Sequence, residues 1–546
     1  MDRRRPSIAK LRRCLPPFAA TIVAASSCLA GTPAPVLAQI VPVSDEIAVS
    51  SPDGDYESGA RVAADRGGGW GVTWSRRGLD EAPEIGRLRR FDREGVAVPG
   101  TLRDHELAGA DLGLDGEGQG VLAGVRLRPD VGGAEVDALC VDALGVPRGD
   151  RVRVDTGTIS PFSRYPSNVR VATDSDGQSV VTWQEIPRVP LALPSVFFRR
   201  LLSGCATQGE VVSLGGIGEV GRREPHVAYR RDGGFVLVWV EGAQAGQFQV
   251  KAQRFDAHGA ALAPAFPVSQ GDSWWIAEPR VAAAQNGEFA VVWKASGQPG
   301  TGSPAGESDG IVGRVFSDDG TALGGELPLR LSRAQTASVP GVAAVGGSFV
   351  AVWGENGFVE EGSAVYGRAF AVAGPLGGEV VLNVEHTDPD SVRIAALGGN
   401  EFVVVWDDLA EQTLPQDIVA RRFVLVPAGT GCAESSSALC LGAERFRIAV
   451  EWRDYQGRHG SGHAYPLTSD SGLFWFFGAT NMEVLVKVVN ACAGFSRHWV
   501  YAAATTDVEY TLTATDTATG RSRSYFNPLG RRSPAITDSD AFSTCP

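Results

Sequence analysis

The sequence has 546 residues, of which 50 are basic and 63 acidic, giving a formal net charge of −13. An acidic chain is not expected to be a nucleic-acid scaffold, which would present a basic face. A hydrophobic content of 43% excludes a disordered chain. The 68 Gly and 32 Pro make up about 18% of the residues, against about 12% on average, and this surplus indicates many turns between short strands.

The N-terminal segment has the pattern of an export signal. A basic head (residues 3–13) precedes an apolar stretch (residues 18–30), and small residues up to Ala38 occupy the positions that a signal peptidase reads. This pattern predicts a signal peptide over residues 1–38, cleaved after Ala38. Cys28 leaves lipid attachment open as an alternative, although the usual Leu three residues before it is missing.

Removal of residues 1–38 leaves 44 basic and 62 acidic residues, a net charge of −18. No later run of 18 apolar residues is long enough to span a bilayer. The sequence therefore predicts an exported protein, periplasmic or extracellular, without a membrane span.

The remaining cysteines are even in number, which in an exported chain is typical of disulfides rather than metal ligands. Six cysteines permit fifteen pairings, so the connectivity stays open, and free buried thiols are the alternative. Cys432–Cys440 is the most local pairing. The six candidates are Cys140, Cys205, Cys432, Cys440, Cys492 and Cys545.

A repeat of about 55 residues fills the middle of the chain. Each copy places a short Val-Ala strand, a Gly/Asp/Asn turn and a strongly apolar strand ending in Trp in that order. One degenerate copy lacks the Trp. The copies are Arg61–Trp74, Ala110–Gly124, Asn168–Trp183, Pro225–Trp239, Pro279–Trp293, Pro340–Trp353 and Ser391–Trp406.

Two further strands complete each copy. The apolar strand has two apolar faces and is predicted to be covered on both sides. A third strand carries an Arg, predicted to point outward, beside an aromatic residue, as in Gly313-Arg314-Val315-Phe316. A Gly-bearing turn then leads to a fourth strand, such as residues 265–269.

Four antiparallel strands repeated seven times predict an all-β fold, a seven-bladed β-propeller over residues 39–427. The seventh copy supplies three strands, and residues 46–50 are predicted to be the strand that completes the last blade and closes the ring. Tandem sandwich domains, which need about 100 residues per unit, and an open β-solenoid are the weaker alternatives.

The periodicity changes after a linker at residues 428–440. Five alternating strands are predicted at residues 446–452, 472–477, 483–489, 499–503 and 509–514, and these predict a small C-terminal β-sandwich over residues 441–546.

This C-terminal segment resembles a module found on many exported bacterial proteins. The marks of the resemblance are Phe474-Trp475-Phe476-Phe477, Asn481, Glu483, Lys487 and Asp516–Gly520. The upstream repeats loosely resemble a class of exported bacterial repeats that end in Phe-Val-Val-Val-Trp, and they lack the marks of WD40 repeats. These resemblances imply export and a modular build but no biochemical activity.

The sequence predicts no metal site, cofactor or catalytic residue. Asp174-x-Asp176-Gly177 is similar to the start of a calcium loop, but the later oxygen ligands are absent and a hairpin turn is due at that position. His459 and His463 have helical spacing within a Gly-rich loop, without the Glu of a zinc motif. No nucleophile elbow and no sialidase-type Asp-box of correct spacing is present.

Loops that join one blade to the next gather at one mouth of a propeller channel. Trp274 and Trp275 cannot both enter a blade core, because neighbouring residues alternate faces in a strand. Exposed aromatic residues beside Arg often anchor recognition, so this mouth is a predicted binding face. Trp packing between blades, with solvated Arg side chains, is the alternative. The candidate residues are His105, Arg164, Tyr165, Arg222, Arg223, Trp274, Trp275, Glu278, His386 and Asp388.

These observations favour a monomeric, non-enzymatic binding protein for an unknown glycan or protein ligand. An extracellular polysaccharide hydrolase or lyase is the alternative, and a carboxylate pair at the channel mouth would favour it. Surface adhesion through the C-terminal module is a third possibility.

Overall fold

The structure is a computed structural model and it shows an all-β chain. It describes residues 38–50, 56–77, 84–128, 133–156, 164–188, 193–215, 220–242, 248–270, 275–296, 310–330, 336–356, 364–383, 389, 391–408, 417–427, 432, 435–442, 445–517 and 521–544. The predicted signal peptide lies outside these residues, apart from Ala38. No helix in these ranges is long and apolar enough to cross a membrane.

The described chain begins with two strands, β1 (Ala38–Pro42) and β2 (Ile47–Ala48), and continues into antiparallel sheets whose strands follow one another in chain order. Sheet 1 consists of β3 (Tyr56–Ala64), β4 (Trp70–Arg77), β5 (Ile85–Phe91) and β6 (Arg103–His105). Sheet 2 consists of β7 (Ala108–Leu114), β8 (Gly120–Arg128), β9 (Gly133–Val141) and β10 (Val152–Arg153). Sheet 3 consists of β11 (Arg164–Thr173), β12 (Ser179–Pro187), β13 (Ser195–Leu201) and β14 (Thr207–Ser213). Sheet 4 consists of β15 (Gly221–Tyr229), β16 (Phe235–Gly242), β17 (Phe248–Phe255) and β18 (Phe266–Pro267).

Three more sheets follow the same order. Sheet 5 consists of β19 (Trp275–Ala283), β20 (Phe289–Ser296), β21 (Gly310–Phe316) and β22 (Leu327–Pro328). Sheet 6 consists of β23 (Thr336–Ala337), β24 (Gly341–Val345), β25 (Ser348–Asn356), β26 (Ala364–Ala371), β27 (Gly374–Pro375) and β28 (Val380–Val381). Sheet 7 consists of β29 (Val392–Gly398), β30 (Glu401–Asp408) and β31 (Asp417–Pro427), together with β1 and β2.

The second strand of each sheet is covered on both faces, as predicted. Its Trp is at most 2% exposed in the six copies that carry one: Trp74, Trp183, Trp239, Trp293, Trp353 and Trp406. The second copy has Gly124 instead. A Cβ there would lie 3.0 Å from the carbonyl oxygen of Ala108, so the neighbouring strand β7 leaves no room for a larger residue.

Seven apolar clusters lie between successive sheets. Each cluster takes buried residues from two neighbouring sheets, as Trp239 and Phe198 do between sheets 3 and 4. The last cluster joins sheet 7 to sheet 1 through Val403, Val405, Trp70 and Trp74. The first strands contact one another in the same order, and β29 contacts β3. The series of sheets therefore closes on itself.

Arginines of the third strands join neighbouring sheets. Nη1 of Arg314 donates to the carbonyl oxygen of Val268, at the outer edge of the preceding sheet, at 2.8 Å. Arg89, Arg199, Arg368 and Arg421 make the equivalent bond to Val49, Val154, Leu329 and Leu382. The prediction of outward-pointing arginines is wrong for Arg314, Arg368 and Arg421, because their length lets the guanidinium reach back to carbonyls that lack a strand partner.

The N-terminal segment completes sheet 7. Ile47 faces Ala420 in the antiparallel pairing of β2 with β31, which confirms the predicted pairing of residues 46–50. Strand β1 was not predicted, and it pairs with the distal half of β31, from Ala38 opposite Pro427 to Pro42 opposite Phe423.

The C-terminal segment forms two further antiparallel sheets. One contains β32 (Ala438–Leu441), β33 (Phe446–Arg453), β34 (His459–Ser461), β39 (Glu509–Asp516) and β40 (Arg521–Asn527). The other contains β35 (His463–Thr468), β36 (Ser471–Trp475), β37 (Val484–Asn490), β38 (His498–Ala504) and β41 (Ile536–Phe542). A short helix, α1 (Cys492–Phe495), precedes β38. Buried side chains of both sheets, including Val450, Phe474, Val486 and Leu512, share one core. All five predicted strands are present, and β32 begins inside the predicted linker.

The C-terminal sheets contact sheet 7 through polar groups. Arg421 Nη2 lies 3.0 Å from Glu451 Oε1, and the Ser461 hydroxyl donates to Asp45 at 3.0 Å. Arg421 therefore bonds to sheet 6, to the N-terminal segment and to the C-terminal segment at once.

Disulfides are present, as predicted. Cys432–Cys440 is confirmed, and Cys140–Cys205 joins the third strand of sheet 2 to the turn after the third strand of sheet 3. Cys492 is also disulfide-bonded. Cys545 lies outside the described residues.

The two sequence motifs that are similar to metal-binding motifs, at Asp174–Gly177 and at His459 and His463, have structural roles. Asp174 Oδ1 accepts hydrogen bonds from the backbone N–H groups of Asp176 and Gln178, both at 2.9 Å, which confirms the predicted turn. His459 and His463 lie on different strands, and the His463 ring stacks on Trp475 with centroids 3.8 Å apart. Within the described ranges, no group of three potential metal ligands is present.

Replacement of Arg314 by Ala is expected to lower the free energy of unfolding by about 1.5–3 kcal/mol, because it removes charge-assisted bonds to the carbonyls of Val268 and Gly324. Guanidinium chloride unfolding of both variants gives the comparison. Arg66→Ala, at an exposed turn, is the control and should change the value by less than about 0.5 kcal/mol. Equal effects of the two substitutions would contradict the role of Arg314.

Loss of Cys140–Cys205 is expected to cost more than loss of Cys432–Cys440. The first bond closes a loop of 65 residues and the second a loop of 8. Chain-entropy arguments then give about 4 and about 2.5 kcal/mol. Double Cys→Ser variants, compared by chemical unfolding, test the order, and the reverse order would contradict it.

Candidate functional site

One register position in the first strands carries polar side chains in six of the seven sheets. It is the residue immediately before the Val-Ala pair or its equivalent in each copy. In sheets 1 to 5 a register shift of the strand pairing precedes it. The residues in order are Arg61, Asp111, Arg170, His226, Arg280, Gly341 and Arg393.

The register shifts are β-bulges with a residue in the left-handed region. Gly59 and Gly109 provide it in sheets 1 and 2, where φ is 73° and 55°. Asn168, Glu224 and Glu278 adopt the same conformation, with φ of 50°, 57° and 56°. A positive φ is strained for a non-glycine residue, and such strain clusters at functional sites. Bulges of this kind re-aim the side chain that follows.

Because the first strands contact one another around the closed series, this position brings side chains from different sheets together. We define the arginine cluster as Arg61, Arg170, Arg280 and Arg393. Burial lowers the pKa of Arg170 well below its ordinary value, and the positive charges of Arg61 and Arg280 lower it further. Arg393 has its pKa lowered in the same way, by burial and then by the three other arginines. The four guanidinium groups are therefore electrostatic neighbours.

The four arginines share one conformation. In each, Nη1 donates to the carbonyl oxygen of the preceding residue, at 2.8 Å in Arg61, Arg170 and Arg393 and 3.0 Å in Arg280. This bond holds the guanidinium against its own backbone and fixes its orientation. The arrangement is set before any ligand arrives.

The guanidinium groups of the arginine cluster have few hydrogen-bond and ion-pair partners. Arg170 and Arg280 are 6% and 5% exposed, whereas Arg61 and Arg393 are half-buried and reach solvent. The Nε atoms of Arg61, Arg280 and Arg393 are buried without a hydrogen-bond partner. Over the described part of the chain, none of the four forms an ion pair with a carboxylate. Buried charge without a partner is costly, so this arrangement requires a compensating function.

Nearby carboxylates bond to backbone groups of the next sheet instead. Asp111 accepts from the N–H of Val171 at 3.0 Å, and Glu224 accepts from the N–H of Glu278 at 2.6 Å. Burial raises the pKa of Glu224. One carboxylate oxygen of Glu278, Oε2, is buried without a partner.

His226 completes the group as a neutral imidazole. Its Nδ1 accepts from the N–H of Val281 at 3.4 Å. Burial lowers the pKa of His226 well below its ordinary value, and the charges of Arg280 and Arg170 act in the same direction.

The predicted binding face is described only in part. Arg222 pairs with Glu241 at 2.9 Å, the Arg223 guanidinium lies 4.5 Å above the Phe248 ring, and Tyr165 lies beneath Arg188. Tyr165, Arg222 and Arg223 lie near the start of their first strands, one to three residues before the left-handed bulge residues. Trp274, His386 and Asp388 lie outside the described residues, as do the side chains of Arg164 and Trp275.

The prediction for His105 is wrong. Its ring is 8% exposed and lies 3.0 Å from the Thr73 hydroxyl. Burial lowers its pKa to about 4, so the imidazole is neutral and structural. Gly86 leaves room for the His105 ring at this buried position, since a Cβ on residue 86 would overlap the ring.

The sequence reasoning missed the arginine cluster, although the signal was present. The aligned copies begin Arg61-Val-Ala, Arg170-Val-Ala, His226-Val-Ala, Arg280-Val-Ala and Arg393-Ile-Ala. A charged residue repeated at one position of a buried strand indicates an inward site rather than a solvated face.

No protein-family model matches this sequence, and no curated protein matches it. Among solved structures, the chain is similar to a protein of unknown function from Dyadobacter fermentans (12% identity, TM-score 0.41, 71% of this chain and 99% of that one). It is also similar to the alpha-L-arabinanase of Penicillium chrysogenum (14%, TM-score 0.39, 69% and 98%) and to the β-propeller domain of the Trilobed protease from Pyrococcus furiosus (9%, TM-score 0.40, 68% and 94%). These similarities are too distant to assign a function. The resemblances to exported bacterial families stay predictions.

Asp407 provides a pH test of the site. Its carboxylate accepts from the N–H groups of Gly59 and Ala60, at 2.8 and 3.2 Å, and so joins sheet 7 to the bulge of sheet 1. Burial raises the pKa of Asp407 to about 6, against these bonds and the charges of Arg61 and Arg393.

A folded-state pKa above the unfolded value of 3.8 means that the folded protein binds more protons between the two values. The contribution of Asp407 to stability therefore decreases as the pH rises from about 4 to about 6, by up to about 3 kcal/mol. We expect the wild type to lose stability relative to Asp407→Asn over this range, measured by chemical unfolding at pH 4.5 and 7.5. An unchanged difference between the two proteins would contradict the raised pKa.

Proposed function

We propose that residues 39–427 form a seven-bladed β-propeller, followed by a linker at residues 428–440 and a β-sandwich module at residues 441–546. Seven successive sheets, seven apolar clusters and the contact of β29 with β3 support the propeller. A single core shared by two sheets supports the sandwich.

We further propose that the protein is exported after cleavage behind Ala38 and acts in the periplasm or outside the cell, as a monomer. The disulfides support this location, since such bonds persist in oxidising compartments.

In that setting, we propose a non-enzymatic binding protein that recognises a glycan or peptide at the centre of the ring. The single observation that carries this proposal is the arginine cluster, whose fixed and poorly satisfied guanidinium groups come from four different sheets. The ends of the first strands, with Arg222, Arg223 and Tyr165, would form the approach to it. Trp274, Trp275, Arg164, Glu278 and His386 are the other proposed contacts.

Polysaccharide hydrolysis is the second candidate. Glu224 and Glu278 lie on neighbouring sheets, the Glu224 carboxylate accepts from the backbone N–H of Glu278, and burial raises the pKa of Glu224. A carboxylate with a raised pKa beside a second carboxylate can serve as a general acid.

Residues 39–546, applied to glycan and peptide arrays, are expected to retain a ligand. Trp275→Ala and Arg222→Ala should each weaken that binding by about tenfold or more, because anchors of this type dominate recognition. Isothermal calorimetry with the retained ligand gives the affinities, and Arg66→Ala is the control. Unchanged binding by both variants would remove these residues from the site.

The same ligand distinguishes binding from hydrolysis. A binding protein should leave a saccharide intact over prolonged incubation. New reducing ends that disappear in Glu224→Gln but not in Arg66→Ala would favour the hydrolase.

A further inference from the structure

We propose that the arginine cluster binds an oxyanion group, a carboxylate, sulfate or phosphate, carried by an acidic saccharide. This inference rests on the proposed binding function and names the chemical class of its ligand.

The first argument is preorganisation. Four arginines at one register position of sheets 1, 3, 5 and 7 each use Nη1 for the same backbone bond. A purely structural arginine would bond to a neighbouring sheet, as Arg314 does. Arg170, Arg280 and Arg393 bond to their own strand, and Arg61 also donates from Nη1 to the Ser391 hydroxyl at 3.3 Å. Among the described residues, the Nη2 groups of all four have no hydrogen-bond partner.

The second argument is charge. The pKa values of Arg170 and Arg393 respond to other arginines before any carboxylate. Carboxylates are near, but Asp111, Glu224 and Asp407 are bonded to backbone N–H groups of the next sheet. Burial lowers the pKa of Arg280, and the charge of Glu278 opposes this shift more than the charge of Arg61 adds to it. Among the described residues, no carboxylate pairs with a cluster guanidinium. An incoming anion would supply the missing partner.

The third argument is the shape of the donors. A guanidinium presents parallel N–H groups that match the two oxygens of a carboxylate, sulfate or phosphate. The neutral His226 adds no competing positive charge that would need its own partner. A neutral saccharide can accept hydrogen bonds through its hydroxyl oxygens, but it carries no charge to neutralise the buried guanidinium groups of Arg170 and Arg280.

The test is calorimetric titration of residues 39–546 with four probes: an oligogalacturonate, a sulfated disaccharide, inorganic phosphate and a neutral oligosaccharide of matched length. At least one anionic probe should bind ten times or more tightly than the neutral one. Its affinity should fall by tenfold or more between 20 and 300 mM NaCl, because each ion contact is screened. The saccharide and phosphate arms distinguish a bound sugar acid from a free anion.

Variants locate the site. Arg280→Gln keeps a donor but removes the charge, and should weaken the anionic probe by tenfold or more. Arg66→Gln should stay within twofold of the wild type. If Arg280→Gln does not fold, as judged by its thermal midpoint, the half-buried Arg393→Gln replaces it with the same expected loss.

Failure of the inference and failure of the proposed function differ. Equal affinity for anionic and neutral probes, or unchanged anion binding in both cluster variants, overturns the inference while saccharide binding stands. Absence of binding by all anionic probes also overturns it. Anion binding that depends on Arg280, without retention of any glycan or peptide on the arrays, supports the anion site and overturns the proposed recognition of a larger ligand.

Discussion

The hydrogen bond from a third-strand arginine to the outer edge of the preceding sheet is the interaction on which the arrangement depends. Most outer strands are very short, as Phe266–Pro267 shows, so most of their carbonyl groups have no strand partner. Arg314 reaches Val268 and Gly324 together and so holds two sheets at a fixed separation. Apolar clusters provide the bulk of the stabilisation between sheets, but they are non-directional. The arginine hydrogen bonds are directional, and they fix how one sheet is oriented against the next.

The fixed inner ends of the sheets make the central position possible. Each first strand is held by its neighbours, and the bulge then turns one side chain into the shared interior. Because the backbone there is strained at Asn168, Glu224 and Glu278, the surrounding sheets must stabilise that conformation. The same scaffold thus uses arginine in two ways, satisfied at the outer edge and unsatisfied at the centre.

Much of the fold could be predicted because its signals are local. The apolar strands that contain Trp239 or Trp293 and the hairpin turns that precede them are visible in the sequence, and so is the strand that pairs with β31. The positions of the arginine cluster could not be predicted in the same way. Side-chain alternation fails at a bulge, so Arg170 and Arg280 could not be placed from strand period alone. His105 was misplaced because the glycine that accommodates its ring, Gly86, lies on another strand.

The pairing of β1 and β2 with β31 has a consequence for how the chain is made. Arg421 bonds to the carbonyl oxygen of Ser44 across 377 positions of sequence, so the two partners leave the ribosome far apart in time. Until the last repeat exists, β1 and β2 have no strand partner and can pair with other chains. The pairing of β1 and β2 with β31 is then a late step with a large loop-closure cost, and such steps are slow. A chain that stops before β31 cannot complete this step, whatever the quality of its earlier sheets.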